Sequence, residues 1–463
     1  MKYDIIIIGS GPGGYVAAIR ASQLGKKVAI IEKSELGGIC LNWGCIPTKS
    51  LLKSAQVLNY AQHASDYGVK IDGSVNPDLA EMVKRSRGVA DTMSNGVQYL
   101  LKKNKVEVIA GTGKILKDKK VEVTDQKGKK TIYSADSIII ATGARSRELP
   151  NLKQDGKKII GYREAMVLDK IPKSMVVVGS GAIGSEFAYF FNTIGVDVTL
   201  VEFMPNIIPL EDEEVSKTLA RSFKKAKMKI MLDSTVEKVD TSGKVCKVSI
   251  KTNKGIVDVE ADIVLSAVGI TTNIEGIGLE DVGIITDNGK IKVDDFYQTN
   301  ISGYYAIGDI VHGPALAHLA SHEGITCVEK IAGMDVEPID YGNIPACTYT
   351  SPEVASVGMT DKQAIEAGYE IKTGKFPFTA SGKASAAGKR DGFVKVVFDT
   401  KYGEWLGCQM IGENVTEMIA EVVAARKLET TGHEILKTIH PHPTMSEAVM
   451  EAVAAAYDEV IHI

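Results

Sequence analysis

Two cysteines, Cys40 and Cys45, stand in the run Gly38-Ile39-Cys40-Leu41-Asn42-Trp43-Gly44-Cys45-Ile46-Pro47-Thr48-Lys49. A disulfide between them would close a very small ring. Such a ring removes little chain entropy, so it is a poor structural staple. A tight, reachable disulfide is easily reduced and re-formed, which suits an electron relay. The competing readings are a pair of small buried residues or half of a metal site. No CxxC pair or histidine cluster completes such a site, and no metal is expected. A helix beginning near Pro47, together with the Lys49 ammonium, would lower the pKa of Cys45.

A second reactive group stands far away in sequence, in His440-Pro441-His442-Pro443-Thr444-Met445-Ser446-Glu447. Prolines on both sides of His442 fix its backbone and keep it off a helix interior. That suits a side chain held toward a site. Glu447 would orient the imidazole and raise its basicity. Thr444-x-x-Glu447 is also a capping box, so the same carboxylate would equally serve only to close the helix expected over 448–457.

Chemistry of this kind needs electron carriers, and the chain holds two matching frames for them. Ile5-Ile6-Ile7-Ile8 is a continuous apolar run, as a buried parallel strand requires. Gly9-Ser10-Gly11-Pro12-Gly13-Gly14 follows, then helical spacing over 15–24, then a strand over 27–31 ending at Glu32. In such a fingerprint Gly9 makes the tight turn and Gly11 lets the backbone approach a pyrophosphate. Gly14 lets helix and strand pack closely, and Glu32 bonds a ribose hydroxyl. The helix N-terminus supplies N–H donors for the phosphates. The pattern recurs as Met175-Val176-Val177-Val178 before Gly179-Ser180-Gly181-Ala182-Ile183-Gly184, with a strand from Asp197 to Glu202. Gly9 to Glu32 and Gly179 to Glu202 are both 23 positions apart. One GxGxxG is weak evidence; two complete units on one ruler are strong. Two units predict two dinucleotides. Glu202 would repel a 2′-phosphate, and no arginine follows it closely, so the second is expected to be NAD. The first, beside the cysteines, would hold FAD, which passes electrons between a dithiol and a nicotinamide. Ile138-Ile139-Ile140-Ala141-Thr142-Gly143 and 263–269 read as further strands ending in small-residue turns. Tyr305-Ala306-Ile307-Gly308-Asp309 places an acid where a ribityl hydroxyl could be bonded. Residues 117–130 read as an exposed hairpin. From about Tyr341 the pattern changes to alternating strands and then helices, an α+β domain with no nucleotide fingerprint, for which a dimer interface is a reasonable task.

Composition fits this reading and excludes others. The chain has 463 residues, 44% hydrophobic and 24% charged, with a formal net charge of -4. That length suggests roughly three domains. The charge gives no reason to expect nucleic acid or an anionic membrane. No apolar run approaches the roughly 18 residues of a membrane helix. The N-terminus runs straight into a strand without a cleavable leader. Six cysteines in so long a chain do not make a disulfide scaffold. The expected location is cytoplasmic.

The sequence resembles the FAD-dependent disulfide oxidoreductases, the family that includes glutathione reductase, over essentially the whole chain. The resemblance is carried by Gly37 to Lys49, the two fingerprints, Tyr305 to Asp309, Leu316-Ala317-His318, Tyr349 to Gly358 and His442 to Glu447. Pro443-Thr444-Met445-Ser446-Glu447 with Glu202 points to the lipoamide branch. The resemblance implies an α/β fold with two Rossmann-like domains and a C-terminal α+β dimerisation domain. FAD would be bound by residues 1–145 and NAD by 146–270, a central segment over 271–340 would complete the FAD site, and 341–463 would form the homodimer interface. It further implies that Cys40 exchanges with substrate and that Cys45 lies nearer the flavin. His442 and Glu447 of one subunit would face the cysteines of the other. Lys49 would lie near flavin N5 and pair with Glu186; Asp309 would hold the ribityl chain. Thr142, Gly143 and the backbone at Gly113 and Ala317 would help to bind FAD, and Gly269 and Val236 would line NAD. Three segments depart from the family's habit: Ile270-Thr271-Thr272 stands for Arg-Arg-Pro, Ala315 for a Met, and Ser381-Gly382-Lys383 for Asn-Ser-Arg.

The implied reaction oxidises dihydrolipoamide, carried on a lipoyl-bearing protein, with NAD as acceptor. The implied setting is a subunit docked into a 2-oxoacid dehydrogenase or glycine-cleavage assembly. The alternative is another flavin disulfide reductase, acting on glutathione-like thiols or mercuric ion. The first would more often use NADP, against Glu202. The second would carry a C-terminal cysteine pair, whereas this chain ends Asp458-Glu459-Val460-Ile461-His462-Ile463.

Overall fold

The apolar runs make the sheets. β1 (Lys2–Ile8) pairs in parallel with β2 (Val28–Glu32) on one side and β6 (Lys130–Ile140) on the other. Ile5, Ile6 and Ile7 are fully buried because both faces of this sheet are covered: Ile5 and Ile7 pack with helical Ala17, Ala21, Leu101 and Val328, and Ile6 packs with Ile115, Val121 and Val123 of antiparallel strands. The computed structural model describes residues 2–463. β3 (Glu107–Ala110), β4 (Thr112–Leu116) and β5 (Lys120–Thr124) complete the order β3-β2-β1-β6-β5-β4. The strand Tyr304–Ala306 pairs in parallel with the second half of β6, so a segment from far down the chain finishes this sheet.

The segment 117–130, expected as an exposed hairpin, differs in part. It contains β5, whose Val121 and Val123 are buried beneath the antiparallel pairing with β4 and β6. The period-2 alternation in Val121-Glu122-Val123 is the signal for this half-buried strand.

The second fold repeats the plan. Its five strands, in the order Lys229–Met231, Asp197–Val201, Ser174–Val178, Ile263–Ser266, Ile159–Ile160, are all parallel. The third layer is antiparallel, with Phe393–Asp399 and Trp405–Gly412 at its centre, both fully buried. Its two faces have different partners. Val394, Val396 and Phe398 pack under the helices Val415–Lys427 and Glu447–Ala456, whereas Phe393 and Ile411 join the core of the second nucleotide fold. The Glu447–Ala456 helix lies very close to the sheet: a Cβ at Gly374 would come 1.9 Å from the Ala452 carbonyl oxygen. No helix among the described residues is long and apolar enough to cross a membrane.

Candidate active site

The two glycine turns are built alike. Gly9 and Gly179 have φ of +103° and +95°, in the left-handed region open to glycine. A Cβ on Gly14 would sit 2.0 Å from the Gly9 carbonyl oxygen, and one on Gly184 would sit 1.9 Å from that of Gly179. Gly11 and Gly181 share φ −60° and ψ −179°, and a Cβ on either would meet nothing within 4 Å. The backbone there faces open space of the kind a pyrophosphate needs. Each turn is tied to its acid in the same way. The Ser10 N–H and hydroxyl donate to Glu32 Oε2 at 2.9 and 2.6 Å; those of Ser180 donate to Glu202 Oε2 at 2.8 and 2.6 Å. The other oxygens accept the Ser34 and Met204 N–H groups. Both carboxylates are therefore aimed beside the turn by the chain's own N–H and hydroxyl donors.

The cysteines sit against the first turn. α2 (Gly38–Trp43) carries Cys40, and α3 (Cys45–Gln62) begins at Cys45. Gly38 has φ +62°, and a Cβ there would come 2.7 Å from Gly11 Cα. This contact and the Gly37 N–H to Ser10 carbonyl bond fix α2 to the turn between β1 and α1 (Pro12–Gln23). Gly44 lets the two short helices meet, since its Cβ would lie 3.1 Å from Ile39 O and 3.3 Å from Cys40 Cα. α4 (Leu79–Lys103) braces the pair from behind. Arg87 donates to Asn42 O and lies 4.0 Å over the Trp43 ring, and Ser86 donates to Pro47 O.

The two sulfurs are free thiols with opposite tendencies. The Cys40 thiol donates to Cys45, which lowers Cys45 to about 7 against the opposing effect of burial; Lys49 adds to the lowering. The same hydrogen bond, with burial, pushes Cys40 up. Cys45 also begins α3, where unpaired N–H groups favour an anion. Lys49 Nζ is held 2.9 and 2.8 Å from the two oxygens of buried Glu186 and 4.3 Å from the Tyr349 ring centre. Glu186 Oε1 further accepts the Tyr349 N–H. Thus the redox helix, the second nucleotide fold and the start of the C-terminal layer meet at one ion pair.

Asp309 stands half-buried in the turn after the Tyr304–Ala306 strand, and burial raises its carboxyl. Its carboxylate makes no hydrogen bond to the described residues, which leaves it free for a hydroxyl. The turn is held by Glu323, whose oxygens accept the Gly308 N–H at 2.5 Å and the Tyr341 hydroxyl at 3.0 Å. Burial pushes Glu323 up to about 7. Thr142 lies beside the first turn, its Cα 3.3 Å from a Cβ placed on Gly9. Gly143 has φ +65°, and Thr142 donates to Asn273 O. Gly113 faces Ile8 from β4, Ala317 opens the Ala317–Ile331 helix, and the Val236 and Gly269 carbonyls accept from Asn151 and Arg147.

His442 is elsewhere. Its Nδ1 lies 2.8 Å from Glu447 Oε1, and its side chain is 77% exposed. Nδ1–H donates to the carboxylate, which leaves Nε2 without a partner among the described residues. Glu447 Oε2 accepts the Thr444 N–H at 2.7 Å. Burial opposes ionisation of Glu447, but the Thr444 and His442 bonds outweigh it and hold the carboxyl below its usual range. The capping box expected at Thr444 does not form. The helix starts at Glu447 with Ser446 as its cap, and the Thr444 hydroxyl donates to Pro441 O. Glu447 therefore serves both expected roles in part: it orients the imidazole with one oxygen and ties down the approach to the helix with the other. Within one chain nothing among the described residues joins His442 to the cysteines.

Arg87 and Glu323 also shape the site and stand in none of the motifs read from the sequence. Their contacts with Asn42 and with Gly308 and Tyr341 span 15 to 45 residues, so only the fold reveals them.

Two dinucleotide turns flanking a reactive thiol pair define a class, and the chain belongs to it: residues 3–324 match the pyridine nucleotide-disulphide oxidoreductase family, and 344–453 match the dimerisation domain of that family. Proteins of this kind use FAD and NAD, and the open turns at Gly11 and Gly181 and the free Asp309 carboxylate fit such ligands. Curated relatives named dihydrolipoyl dehydrogenase extend along its full length. One from Rhizobium etli is 50% identical, covering 100% of this chain and 99% of its own. One from Bacillus subtilis is 44% identical, covering 100% and 99%. A mitochondrial one from Pisum sativum is 42% identical, covering 99% and 92%. Among solved structures, LpdA from Mycobacterium tuberculosis superimposes with a TM-score of 0.91 at 28% identity, covering 98% of this chain and 99% of its own.

Proposed function

We propose that this protein oxidises dihydrolipoamide to lipoamide with NAD as acceptor, working through Cys40 and Cys45. The observation that carries the reading is the thiol pair fixed against one dinucleotide turn and tied by Lys49–Glu186 to a second. In the oxidised protein, His442 Nε2 takes the proton from one substrate thiol. The resulting thiolate attacks Cys40 Sγ, and Cys45 leaves as the thiolate. This direction follows from the surroundings: the Lys49 charge and the α3 N-terminus favour the Cys45 thiolate, so its sulfur is the better leaving group. The second substrate thiol, losing its proton to water, then attacks the substrate sulfur of the mixed disulfide, closing lipoamide and releasing Cys40, which takes back the proton from His442. Bound FAD supplies a two-electron carrier between the dithiol and the nicotinamide of NAD. Lys49 and the α3 N-terminus stabilise the Cys45 anion, and Asp309 and Glu32 hold the hydroxyls of the FAD.

The dimerisation domain supports a homodimer. In that dimer the exposed His442 of one subunit serves the cysteines of the other, which accounts for their separation within one chain. The lipoyl group arrives on another protein, and the enzyme serves as a docked subunit of a 2-oxoacid dehydrogenase or glycine-cleavage assembly in the cytoplasm. Glu202 selects NAD, because a 2′-phosphate would meet its aimed carboxylate. The test is nicotinamide reduction by purified protein and dihydrolipoamide with NAD and with NADP. Rapid NADH formation with little NADPH is expected. Oxidation of NADPH by glutathione disulfide, with no lipoamide turnover, would overturn the reading.

A further inference from the structure

Two histidine–glutamate pairs stand side by side in 438–447, and they are built differently. In the first, His442 uses one ring nitrogen on Glu447, and the other has no partner among the described residues. In the second, both ring nitrogens are engaged: His440 Nε2 lies 2.7 Å from Glu421 Oε1, and its Nδ1 lies 3.2 Å from the Thr438 carbonyl oxygen. The His440 side chain is 5% exposed, so the ring itself is held by these two partners, although the Thr438 contact lies at the surface. A carbonyl oxygen and a carboxylate only accept hydrogen bonds. A neutral imidazole has one N–H, and it would leave a lone pair facing one of these acceptors. Both bonds form together only when the ring carries two protons. Glu421, on the Val415–Lys427 helix, is a third exposed and supplies the balancing charge.

The charged groups facing His440 are Glu421 from the Val415–Lys427 helix and Glu447 from the Glu447–Ala456 helix. The ring is bonded to the first of these helices, and the chain leads from it directly to His442 and Glu447. We infer that His440 is a positioning residue for the His442–Glu447 base: a closed, doubly protonated imidazole that pins the 438–442 segment to Glu421 and adds a positive charge beside the His442–Glu447 pair. It touches neither substrate nor cofactor. Charge effects agree in direction, since Glu421 raises the His440 pKa and His440 contributes to the lowering of Glu447. The inference rests on the proposed role of His442 as the thiol base.

The sign of the effect is fixed by the charges. His440→Gln removes a positive charge and leaves the Glu421 carboxylate, so the surroundings of His442 become more negative and its protonated form gains. The acid limb of kcat/KM for dihydrolipoamide then moves up, by about half a pH unit. The loss of alignment lowers kcat/KM at neutral pH roughly ten- to a hundredfold. Reduction of the holoenzyme by NADH removes no proton from a substrate thiol and stays at the wild-type rate. Glu421→Gln keeps an acceptor for Nε2–H but removes the negative charge, so its acid limb lies at or below that of wild type. Histidine ring nitrogen shifts of the wild-type protein test the protonation state without any variant: both His440 nitrogens remain protonated through neutral pH. Equal acid limbs in wild type and His440→Gln, or a His440 ring with a single proton at neutral pH, would overturn the inference. Wild-type protein that does not turn over dihydrolipoamide would instead overturn the reading on which it rests, and the ring shifts would still decide the state of His440. If His440→Gln does not fold, the ring shifts and Glu421→Gln decide, a raised limb in the latter counting against the inference.

Discussion

Cys45 owes its acidity first to the thiol beside it and second to Lys49. Removing the donor should therefore undo much of the shift. In Cys40→Ala the Cys45 thiolate should titrate well above 7, toward the ordinary cysteine range, as followed by thiolate ultraviolet absorbance across pH. A titration unchanged from that of the reduced wild type would mean that Lys49 and the helix terminus suffice. His442→Gln should reduce dihydrolipoamide turnover by roughly 10²–10⁴-fold, the usual contribution of a general base. A near-normal rate would make His442 structural. At this scale the sequence was informative where a residue type has few other uses. The cysteine pair, the Pro-flanked His442 and the acids Glu32 and Glu202 all declare themselves. The difference between His440 and His442 does not, because it depends on Glu421, and only the packing of two helices brings that residue near. The capping-box reading of Thr444 failed for a related reason. Glu447 Oε2 does accept the Thr444 N–H, but the Thr444 hydroxyl donates to Pro441 O, and the helix starts two residues later than a cap at Thr444 requires.

Short helices and glycine contacts decide how the reactive groups are aimed. α2 is only six residues long and gains its place from neighbours: Gly37 and Gly38 against the Gly11 turn, and the Arg87 contacts from α4. Gly38→Ala would place a methyl 2.7 Å from Gly11 Cα at a φ of +62°. Backbone on both sides cannot yield easily, and the left-handed conformation adds a cost of about 1 kcal/mol or more. The variant should retain less FAD after gel filtration than wild type, with α2 displaced from the turn. Equal FAD content and equal activity would show that the contact is incidental. Sequence spacing identified the elements themselves well, because a parallel buried strand and a glycine turn each impose a pattern within ten residues. Within 117–130 it misjudged the exposure, because lysines and aspartates at the turns masked the buried Val121 and Val123 between them.

At the scale of the whole molecule, one buried ion cluster joins the second nucleotide fold to the C-terminal layer. Lys395, on the sheet face turned toward that fold, lies 3.0 Å from Asp212, 2.8 Å from Asp361 and 3.5 Å from Glu214. Asp212 caps the Glu213–Lys225 helix, so the bond crosses between layers. Lys395→Met would strand the almost fully buried Asp212 carboxylate and should destabilise the fold by about 3–5 kcal/mol, measured by denaturant unfolding. A loss below about 1 kcal/mol would show that water reaches Asp212 and replaces the lysine. The pH dependence has a definite sign. Burial opposes ionisation of Asp361, but the Lys395 bond, the Lys362 N–H and the Lys395 charge together outweigh it and hold the carboxyl below the usual 3.8. A depressed acid contributes stability above its unfolded value and loses it as pH falls through the folded one. The wild type should therefore lose stability on acidification below about pH 4, and Lys395→Met should lose less over that interval. None of this cluster was legible in the sequence, since a lysine in a strand reads as solvated until its face is known.

The relay itself is tested most directly by one substitution in the holoenzyme. Cys45→Ser protein, loaded with FAD to the wild-type level, is given dihydrolipoamide and NAD, and NADH is followed by its near-ultraviolet absorbance beside the wild type. Rapid NADH formation by the wild type and none by the variant is the predicted result. NADH formation by Cys45→Ser at the wild-type rate would contradict the electron path through the thiol pair.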